Sequence, residues 1–341
     1  MEEFSIIGLD LAKNVFQAHG AAADGSVVFR RKLSRAQLVK FFAAQPPCLV
    51  AMEDCASVHY WARTIGALGH TVKLIPPAYV KPFVKRQKND AADAEAIAEA
   101  AARPTMRFVA PKSKAQQAAA MAYRTRDLLV RQRTQTINAL RAHLAEYGVV
   151  APIGVAQVGR LAAVVEDEGS GLPEAVMALG RVLMTQIASL NGQVEMLDKE
   201  LRQRASGDDT TRRLMTIPGV GAITASALTT FAPPCETFAK GRDFAAWVGL
   251  TPRQHSSSGK ERLGKTSKMG QRDIRRLLII GAVAVVRWAA RNGAPEGSWL
   301  ARMLARKPRM LVAVALANRM ARISWALMRS EEVYRDPAAM T

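Results

Sequence analysis

Two aspartates, Asp90 and Asp93, lie three residues apart at the start of the alanine-rich segment DAADAEAIAEA. In a helix, residues at i and i+3 project from one face. One interpretation is local: Asp90 caps the helix with Asp93 at its third position, and both acids favour the positive end of the helix dipole. The other interpretation is a metal site, which requires acidic side chains from elsewhere in the chain.

Two further acids end runs of strand-like, apolar sequence. Asp10 ends FSIIGLD, and Glu53 ends CLVAME. If these strands are parallel neighbours, their carboxylates lie side by side, because adjacent strands are about 4.8 Å apart and ligands gather beyond the carboxyl ends of such strands. The next residue, Asp54, points to the opposite face if the strand continues.

Four carboxylates from three elements would repel one another unless cations lay between them. Oxygen ligands favour Mg²⁺ or Mn²⁺. A pair of such ions can hold the attacking and leaving oxygens of a phosphoryl transfer. The acids therefore predict a metal site for chemistry on phosphate esters.

A second candidate site is the segment RQHSSSGKERLGKTSK, in which three serines lie among basic residues. A serine hydroxyl is a weak nucleophile unless a base, a metal or nearby cations activate it, and His255 is a candidate proton acceptor. The alternative is a flexible loop that binds phosphate without chemistry. The candidate nucleic-acid-binding residues here are Arg253, Lys260, Lys265 and Lys268.

The segment IPGVG (217–221) places Gly219 and Gly221 between two helical patterns. Glycines let backbone amides approach a phosphate oxygen, and the start of the following helix favours negative charge. This pattern is typical of a helix-hairpin-helix turn, which positions DNA without reading its sequence. An ordinary helix–helix turn is the alternative.

The chain as a whole is a polycation. Its 341 residues carry 48 Lys+Arg against 29 Asp+Glu, a formal net charge of +19. Such an excess favours a polyanionic partner, and nucleic acid is the first candidate. The three cysteines favour a reducing compartment. Without a signal-peptide pattern, and with a longest apolar run (277–286) too short for a bilayer, we expect a cytoplasmic, nucleoid-associated protein with no membrane partner.

The elements that must position these residues divide into three predicted domains. Residues 1–110 predict an α/β domain, because three strand-like runs precede an alternation of helix and strand, which implies a mixed sheet with helices on its faces. Residues 111–206 predict helices. Residues 207–341 predict a mainly helical domain with a Gly/Ser/Lys-rich loop at 249–271 and long helices at 272–291 and about 308–328.

The middle region contains the heptad seam of a coiled coil. Its apolar residues alternate spacings of four and three: Leu183, Ile187, Leu190, Val194, Leu197 and Leu201. The pattern leaves open whether the partner helix belongs to the same chain or to another. Association through such a seam would favour a dimer or a tetramer.

Five segments, in order, resemble the signature blocks of the DEDD-type bacterial insertion-sequence transposases, which are bridge-RNA-guided serine recombinases. They are GLDLAKNVF, AMEDCASVHYWA, KNDAADAEAIAEA, IPGVGAITASAL and GLTPRQHSSSGKERLGKTSKMGQRDIRRLL. The resemblance covers most of the chain and is weak only in the coiled-coil middle. It implies a ribonuclease-H-like (RuvC-like) N-terminal domain with a D-E-D-D tetrad at Asp10, Glu53, Asp90 and Asp93.

The same resemblance implies a C-terminal transposase domain with a nucleophilic serine. Alignment on GLTP (249–252) gives Ser257, while the serine triplet leaves Ser256 and Ser258 open. The implied function is Mg²⁺-dependent cleavage and rejoining of DNA, at element ends and target, guided by a noncoding RNA. Two alternatives remain: a metal-dependent junction nuclease of the same fold, in which water attacks, and a non-catalytic nucleic-acid scaffold.

Overall fold

A computed structural model of the chain describes residues 5–85 and 89–335. It forms two compact units, Met1–Gln117 and Ala118–Thr341. Phe4, at the start of the first predicted strand, and Arg86 and Lys88, in the basic segment before Asp90, lie outside the described residues.

The first unit contains a five-stranded mixed sheet, as predicted. Its strands in chain order are β1 (Ile6–Asp10), β2 (Val15–Ala21), β3 (Val27–Ser34), β4 (Leu49–Glu53) and β5 (Thr71–Ile75). Across the sheet the order is β3-β2-β1-β4-β5. β1, β4 and β5 run parallel to one another, whereas β2 pairs antiparallel with β1 and β3. The parallel pairing of β1 with β4, which was the condition for Asp10 and Glu53 to lie side by side, is present.

Helices cover both faces of this sheet. They are α1 (Arg35–Ala43), α2 (Val58–Gly66), α3 (Pro77–Val80), the short 3₁₀ helix Lys81–Phe83, and α4 (Asp90–Ala101). Along β4, Val50 and Met52 join the core beneath α1 and α2, while Ala51 between them joins the core beneath α4. The alternation follows from the two-residue period of a strand.

Helix α4 packs against β1 with almost no space between the two backbones. A Cβ built on Gly8 would lie 2.7 Å from the backbone nitrogen of Ala98 and closer still to the carbonyl oxygen of Ala94. The alanine-rich sequence of α4 permits this approach, because alanine fills little of the space between a helix and a sheet. The first turn of α4 is thereby held near the carboxyl end of β1.

The second unit is mainly helical, in agreement with the prediction for its sequence. Its helices are α5 (Lys114–Ala145, within this unit from residue 118), α6 (Val158–Glu166), α7 (Glu174–Ser206), α8 (Asp209–Leu214), α9 (Ala222–Phe231), α10 (Gly241–Val248), α11 (Arg272–Asn292), α12 (Trp299–Arg306) and α13 (Arg309–Ser330). Short 3₁₀ helices occupy Val155–Gln157, Glu168–Ser170 and Cys235–Thr237.

The long helices α5 and α7 lie antiparallel to each other. The guanidinium of Arg126 pairs with the carboxylate of Asp198, and Arg133 donates a 3.0 Å hydrogen bond to the side-chain oxygen of Asn191. From Ile187 to Leu201 the predicted seam is buried, and Ile187 packs in a core with Leu140 of α5. The seam therefore contacts a helix of the same chain.

The longest apolar run, at 277–286, lies in α11 and is too short to cross a bilayer. By contrast, helix α13 is apolar enough to cross a membrane by length and composition alone. Its buried residues, however, pack in the same core as those of α9, α10 and α11, and its sequence includes Arg319 and Arg322. Core packing thus accounts for the apolar side of α13.

The segment 249–271, predicted as a loop, contains a two-stranded hairpin. Strands β6 (Pro252–Gln254) and β7 (Leu263–Thr266) pair antiparallel with a register shift between Pro252 and Gln254. All residues of both strands except Thr266 are exposed. A strand with no buried face lacks the alternation of apolar and polar residues by which strands are recognised in a sequence.

Candidate active site

Three carboxylates meet at the carboxyl end of β1. Asp10 ends that strand, and Asp90 and Asp93 lie in the first turn of α4. One oxygen from each of the three carboxylates lies within 4.8 Å of the others. Oxygens bound to one Mg²⁺ or Ca²⁺ are each about 2.0–2.6 Å from the ion, so this spacing suits a shared divalent cation.

Helix capping does not explain the two aspartates of α4. The N-cap is Asn89, whose side-chain oxygen accepts a 2.8 Å hydrogen bond from the amide of Ala92. The interpretation of Asp90 as N-cap is therefore wrong, although both aspartates do lie near the positive end of the helix. The sequence does offer Asn89 as an alternative N-cap, since asparagine is as favoured at that position as aspartate.

Glu53 lies on the strand next to Asp10. In the parallel pair of β1 and β4, Leu9 faces Met52, so the next residue of each strand is Asp10 and Glu53. The Glu53 carboxylate is not a member of the three-carboxylate group, but its negative charge contributes to the raised pKa of Asp10. Glu53 thus borders the group from the neighbouring strand.

The carboxyl group of Asp10 resists ionisation. Burial, and then the negative charges of Asp93, Asp90 and Glu53, together raise its pKa from 3.8 to about 6, against a smaller lowering by the amide of Leu11. A divalent cation would relieve this repulsion. The donor set, all carboxylate oxygens, also suits a hard cation, so the residues present fit the predicted Mg²⁺ or Mn²⁺.

Other acids of α4 are already neutralised. Glu95 pairs with Arg30 at 2.7 Å and with Lys85 at 3.4 Å, and Glu99 pairs with Arg103 at 2.8 Å. Within residues 5–85 and 89–335, by contrast, no ion pair to Asp10, Asp90 or Asp93 is present. Among the described residues, no cationic side chain therefore balances the charge of the three-carboxylate group.

Asp54 faces a different partner. Its carboxylate lies 3.8 Å from Nε2 of His59, whose Nδ1 accepts a 3.3 Å hydrogen bond from the amide of Lys112. Asp54 is not a member of the group formed by Asp10, Asp90 and Asp93. The contact with His59 agrees with the expectation that Asp54 lies apart from that group.

Ser257 begins the tight turn of the β6–β7 hairpin. Its carbonyl oxygen accepts a 3.0 Å hydrogen bond from the amide of Lys260, and the two residues between them, Ser258 and Gly259, have φ values of 50° and 75°. Positive φ at both central positions is the geometry of a type I′ hairpin turn. Ser257 is exposed at the hairpin tip.

The three serines have different surroundings in this hairpin. The Ser256 hydroxyl accepts a 3.1 Å hydrogen bond from the amide of Arg262, and Ser258 has the positive φ of the turn. His255 lies just after β6, and its imidazole lies against Gly264 of β7, where a Cβ would come within 2.8 Å of its Nε2.

The predicted phosphate-binding cations of the hairpin region are exposed. They are Arg253, Lys260, Lys265 and Lys268. Arg253 donates a 3.3 Å hydrogen bond to the carbonyl oxygen of Ser267. In the part of the chain that the structure describes, none of the four takes part in an ion pair. Their charges are therefore available to an anionic ligand.

The two glycines of the IPGVG segment differ in their surroundings. A Cβ on Gly219, which has a φ of 85°, would lie 2.8 Å from the carbonyl oxygen of Gly281 in α11, so this glycine is required by packing. Gly221 is the N-cap of α9 and is exposed, with no atom within 4 Å of its Cβ position. The start of α9 is thus open to a ligand at Gly221.

Comparison with known proteins gives agreement along the whole chain. A family described as "Transposase IS116/IS110/IS902 family" matches residues 211–295, and a DEDD-type IS110 transposase family, described as "Transposase", matches residues 7–149. The second match implies a ribonuclease-H-like α/β fold, consistent with the mixed sheet of the first unit.

Full-length relatives have similar sequences. A "Probable family 20 transposase" of Pseudomonas aeruginosa is 48% identical over 97% of this chain and 98% of its own length. The "Transposase for insertion sequence element IS1328" of Yersinia enterocolitica is 42% identical over 98% of this chain and 99% of its own length. The "Transposase for insertion sequence element IS1111A" of Coxiella burnetii is 37% identical over 98% and 92%, respectively. The chain therefore belongs to the IS116/IS110/IS902 family of DEDD-type transposases.

Proposed function

We propose that this transposase cleaves and rejoins DNA through a covalent link to Ser257, assisted by a divalent cation bound at the acidic tetrad. The observation that carries the proposal is the convergence of Asp10, Asp90 and Asp93 at the carboxyl end of β1, with Glu53 on the adjacent strand. Family membership supports transposition of an insertion sequence as the biological outcome.

The tetrad residues would hold the cation. Asp10 and Glu53 come from neighbouring parallel strands, and Asp90 and Asp93 come from α4, which the backbone contact at Gly8 holds in place. When bound, Mg²⁺ or Mn²⁺ would withdraw charge from the phosphate oxygens and so favour attack at phosphorus. Because the pKa of Asp10 is about 6, that carboxyl group is mostly ionised at neutral pH and able to serve as a ligand.

Ser257 is the proposed nucleophile. Its Oγ forms a bond to the scissile phosphorus while the bond from phosphorus to the deoxyribose oxygen breaks; the serine proton is lost and the released oxygen takes up a proton. No oxidation or reduction occurs. The reverse displacement, by a DNA hydroxyl on the phosphoserine, rejoins the strand and restores the serine. His255, two residues before Ser257, is the nearest group in sequence that can accept the serine proton.

The geometry of the hairpin favours Ser257 over its neighbours. Ser256 already accepts a hydrogen bond from the Arg262 amide, and Ser258 lies in the left-handed conformation of the turn. Arg253, Lys260, Lys265 and Lys268 would bind the DNA phosphates, with Gly219 and Gly221 as a second phosphate contact. Exposure of these cations and of Gly221 supports that role.

The remaining features of the proposal concern the assembly. A guide noncoding RNA would select the sites, and the chain would act in the cytoplasm at the nucleoid as a dimer or tetramer. The division into residues 1–110, 111–206 and 207–341, and a coiled coil within the middle part, belong to the same proposal. A working site that combines the tetrad of one protomer with Ser257 of another is also part of this proposal.

The test is a search for a covalent protein–DNA product. Purified protein is incubated with its RNA, its DNA and Mg²⁺ and is then denatured. Peptide mapping locates the attached nucleotide. We expect attachment at Ser257, with loss of the product in Ser257→Ala and in Asp93→Asn. Cut DNA ends without any adduct would instead indicate the junction nuclease. DNA binding and transposition that survive Asp10→Ala and Asp93→Ala would indicate the non-catalytic scaffold.

A further inference from the structure

A groove of about 1260 Å³ lies in the second unit beside the serine hairpin. The base of the hairpin, at Pro252 and residues 264–266, forms one wall. The N-terminal end of α10 and one face of α13 form the others. The groove therefore shares a wall with the hairpin that carries Ser257.

The charged residues that line this groove, among those the structure describes, are all basic. Its cationic residues are Lys240, Arg242, Lys265, Arg319 and Arg322, and no acidic residue lies among the described residues that line it. Within the described ranges, none of the five forms an ion pair, and all but Arg319 are exposed. Cations of one sign in a concave site concentrate positive potential. Phosphate groups are the biological ligands that match such a site.

The groove also offers an aromatic surface that a simple anion does not need. The guanidinium of Arg319 lies 5.3 Å from the ring centre of Trp299. The indole nitrogen of Trp325 donates a 3.2 Å hydrogen bond to the carbonyl oxygen of Cys235, which fixes this second ring. Nucleobases stack on aromatic rings and on guanidinium planes. A ligand that offers both phosphates and accessible bases is a nucleic-acid strand whose bases are unpaired, because a duplex hides its base faces.

Close contacts join the walls of the groove to one another. The side-chain amide of Asn318 in α13 donates a 3.3 Å hydrogen bond to the carbonyl oxygen of Leu250, at the base of the hairpin. On the other side, a Cβ on Gly241 would lie 3.1 Å from the carbonyl oxygen of Arg322, so α10 and α13 pack closely at this point. Walls that are joined in this way reduce the entropic cost of binding a flexible strand.

We propose that this groove binds a single strand of DNA, with phosphates on the five cations and a base against Trp299. The choice of DNA rests on the proposed function, because the groove adjoins the hairpin whose serine would join DNA. In a cleavage and rejoining reaction the broken strand must be kept in place until it is rejoined. An unpaired segment held in this groove would remain beside the hairpin that carries Ser257 during that interval.

The first test measures the affinity of the full-length protein for fluorescein-labelled oligothymidylate by polarisation, in EDTA, over a series of salt concentrations. We expect Arg322→Gln to weaken binding severalfold and to reduce the salt slope by about 0.7, the value for one single-strand phosphate contact. Trp299→Ala should weaken binding about tenfold or more while leaving the salt slope unchanged, and Trp299→Phe should retain most of the affinity because it keeps a stacking ring.

The matched control is Arg287→Gln, which removes one exposed charge from α11 outside the groove. It should change the affinity much less than Arg322→Gln does. Urea unfolding of every variant establishes that the fold is retained. Equal losses in Arg287→Gln and Arg322→Gln would overturn the inference, because the effect would then reflect net charge alone.

The second test locates the strand directly. Oligonucleotides that carry 5-iododeoxyuridine are photocrosslinked to the wild-type protein, and the attached peptide is identified. We expect the peptide of residues 292–302, which contains Trp299, whereas exclusive attachment at other peptides would contradict the proposal. Tighter groove-dependent binding of oligouridylate or of duplex DNA than of oligothymidylate would also contradict it, because the occupant would then be RNA or a paired helix.

These results are separable from the fate of the proposed function. If wild-type protein forms the Ser257 adduct while the groove variants bind oligothymidylate as well as wild type does, the groove inference fails and the serine mechanism stands. If no adduct forms but Arg322→Gln and Trp299→Ala lose affinity as expected, the groove stands and the serine mechanism fails.

Discussion

The backbone of Gly8 in β1 packs directly against the backbone of Ala98 in α4. A Cβ built on Gly8 would lie only 2.7 Å from the Ala98 nitrogen. This contact sets the distance between the strand that ends at Asp10 and the helix that begins at Asp90. The acidic group therefore depends on a position in the sheet that carries no side chain.

Substitution of this glycine should destabilise the protein. We expect Gly8→Ala to cost about 1–3 kcal/mol, because the added methyl group overpacks a contact between two backbones. Gly66→Ala is the control, since its Cβ position in α2 is open and alanine favours a helix by about 0.5–1 kcal/mol. Urea unfolding measures both variants. Equal stability of Gly8→Ala and wild type would show that α4 can move away from β1 without cost.

The raised pKa of Asp10 predicts how stability depends on pH in metal-free protein. Its pKa is about 6 in the folded chain and 3.8 as the ordinary value, so the folded state binds the proton more tightly. The contribution of Asp10 to stability is therefore fully present below pH 3.8 and falls as the pH rises towards 6. Thermal unfolding in EDTA, compared between wild type and Asp10→Asn, isolates this contribution. A wild-type-minus-variant difference that grows with pH would contradict the assignment.

Divalent cations should bind the three-carboxylate group more tightly above pH 6 than below it, because Asp10 must lose its proton to become a ligand. Titration with Mn²⁺, followed by electron paramagnetic resonance, measures this affinity. We expect Asp93→Asn to weaken Mn²⁺ binding by about tenfold or more, by loss of one charged ligand. Glu95→Gln is the control on the same helix, since Glu95 pairs with Arg30 and Lys85. Equal losses in the two variants would indicate a diffuse effect of charge.

The type I′ turn allows a test of which serine reacts. Asparagine before glycine is strongly preferred at the centre of this turn, so Ser258→Asn should keep the hairpin and retain the covalent DNA product. Ser257→Asn should abolish the product at the same protein concentration. Adduct yield on a denaturing gel measures both. Loss of the adduct in Ser258→Asn alone would transfer the nucleophile to Ser258.

Two leucines of the helix pair α5 and α7 should differ in how much their substitution costs in stability. Leu140 of α5 is 1% exposed, whereas Leu179 of α7 is 66% exposed. Leu140→Ala should cost about 2–5 kcal/mol through loss of buried surface and creation of a cavity, while Leu179→Ala should change stability little. Chemical denaturation gives both values. A large loss for Leu179→Ala would indicate that another chain covers this position under the conditions of measurement.

Much of the fold was predictable from local sequence. Three strand-like runs followed by an alternation of helix and strand predicted the mixed sheet, which is confirmed, and the parallel pairing of β1 with β4, the condition for Asp10 and Glu53 to lie side by side, is present. The long helices were also predictable, because the spacing of their apolar residues repeats with the period of a helix.

Other features needed information from residues far apart in the chain. The hairpin that carries Ser257 was predicted as a loop, because its exposed strands show no apolar alternation. The N-cap role of Asn89 was missed because neighbouring residues of similar capping propensity compete for one position. Arg322 and Trp299 are single residues in helices, and no local pattern marks either of them as part of a binding site.

The sequence by itself determined the types of element, their order, the charge of the chain and the acids and serines available for chemistry, because these depend on composition and short-range periodicity. Only the tertiary structure decided that α4 sits directly on Gly8, that α5 covers the seam of α7, and that Arg322 and Trp299 line one groove beside the hairpin. Such contacts join residues distant in the chain. They are selected by close packing of whole surfaces, which no local pattern encodes.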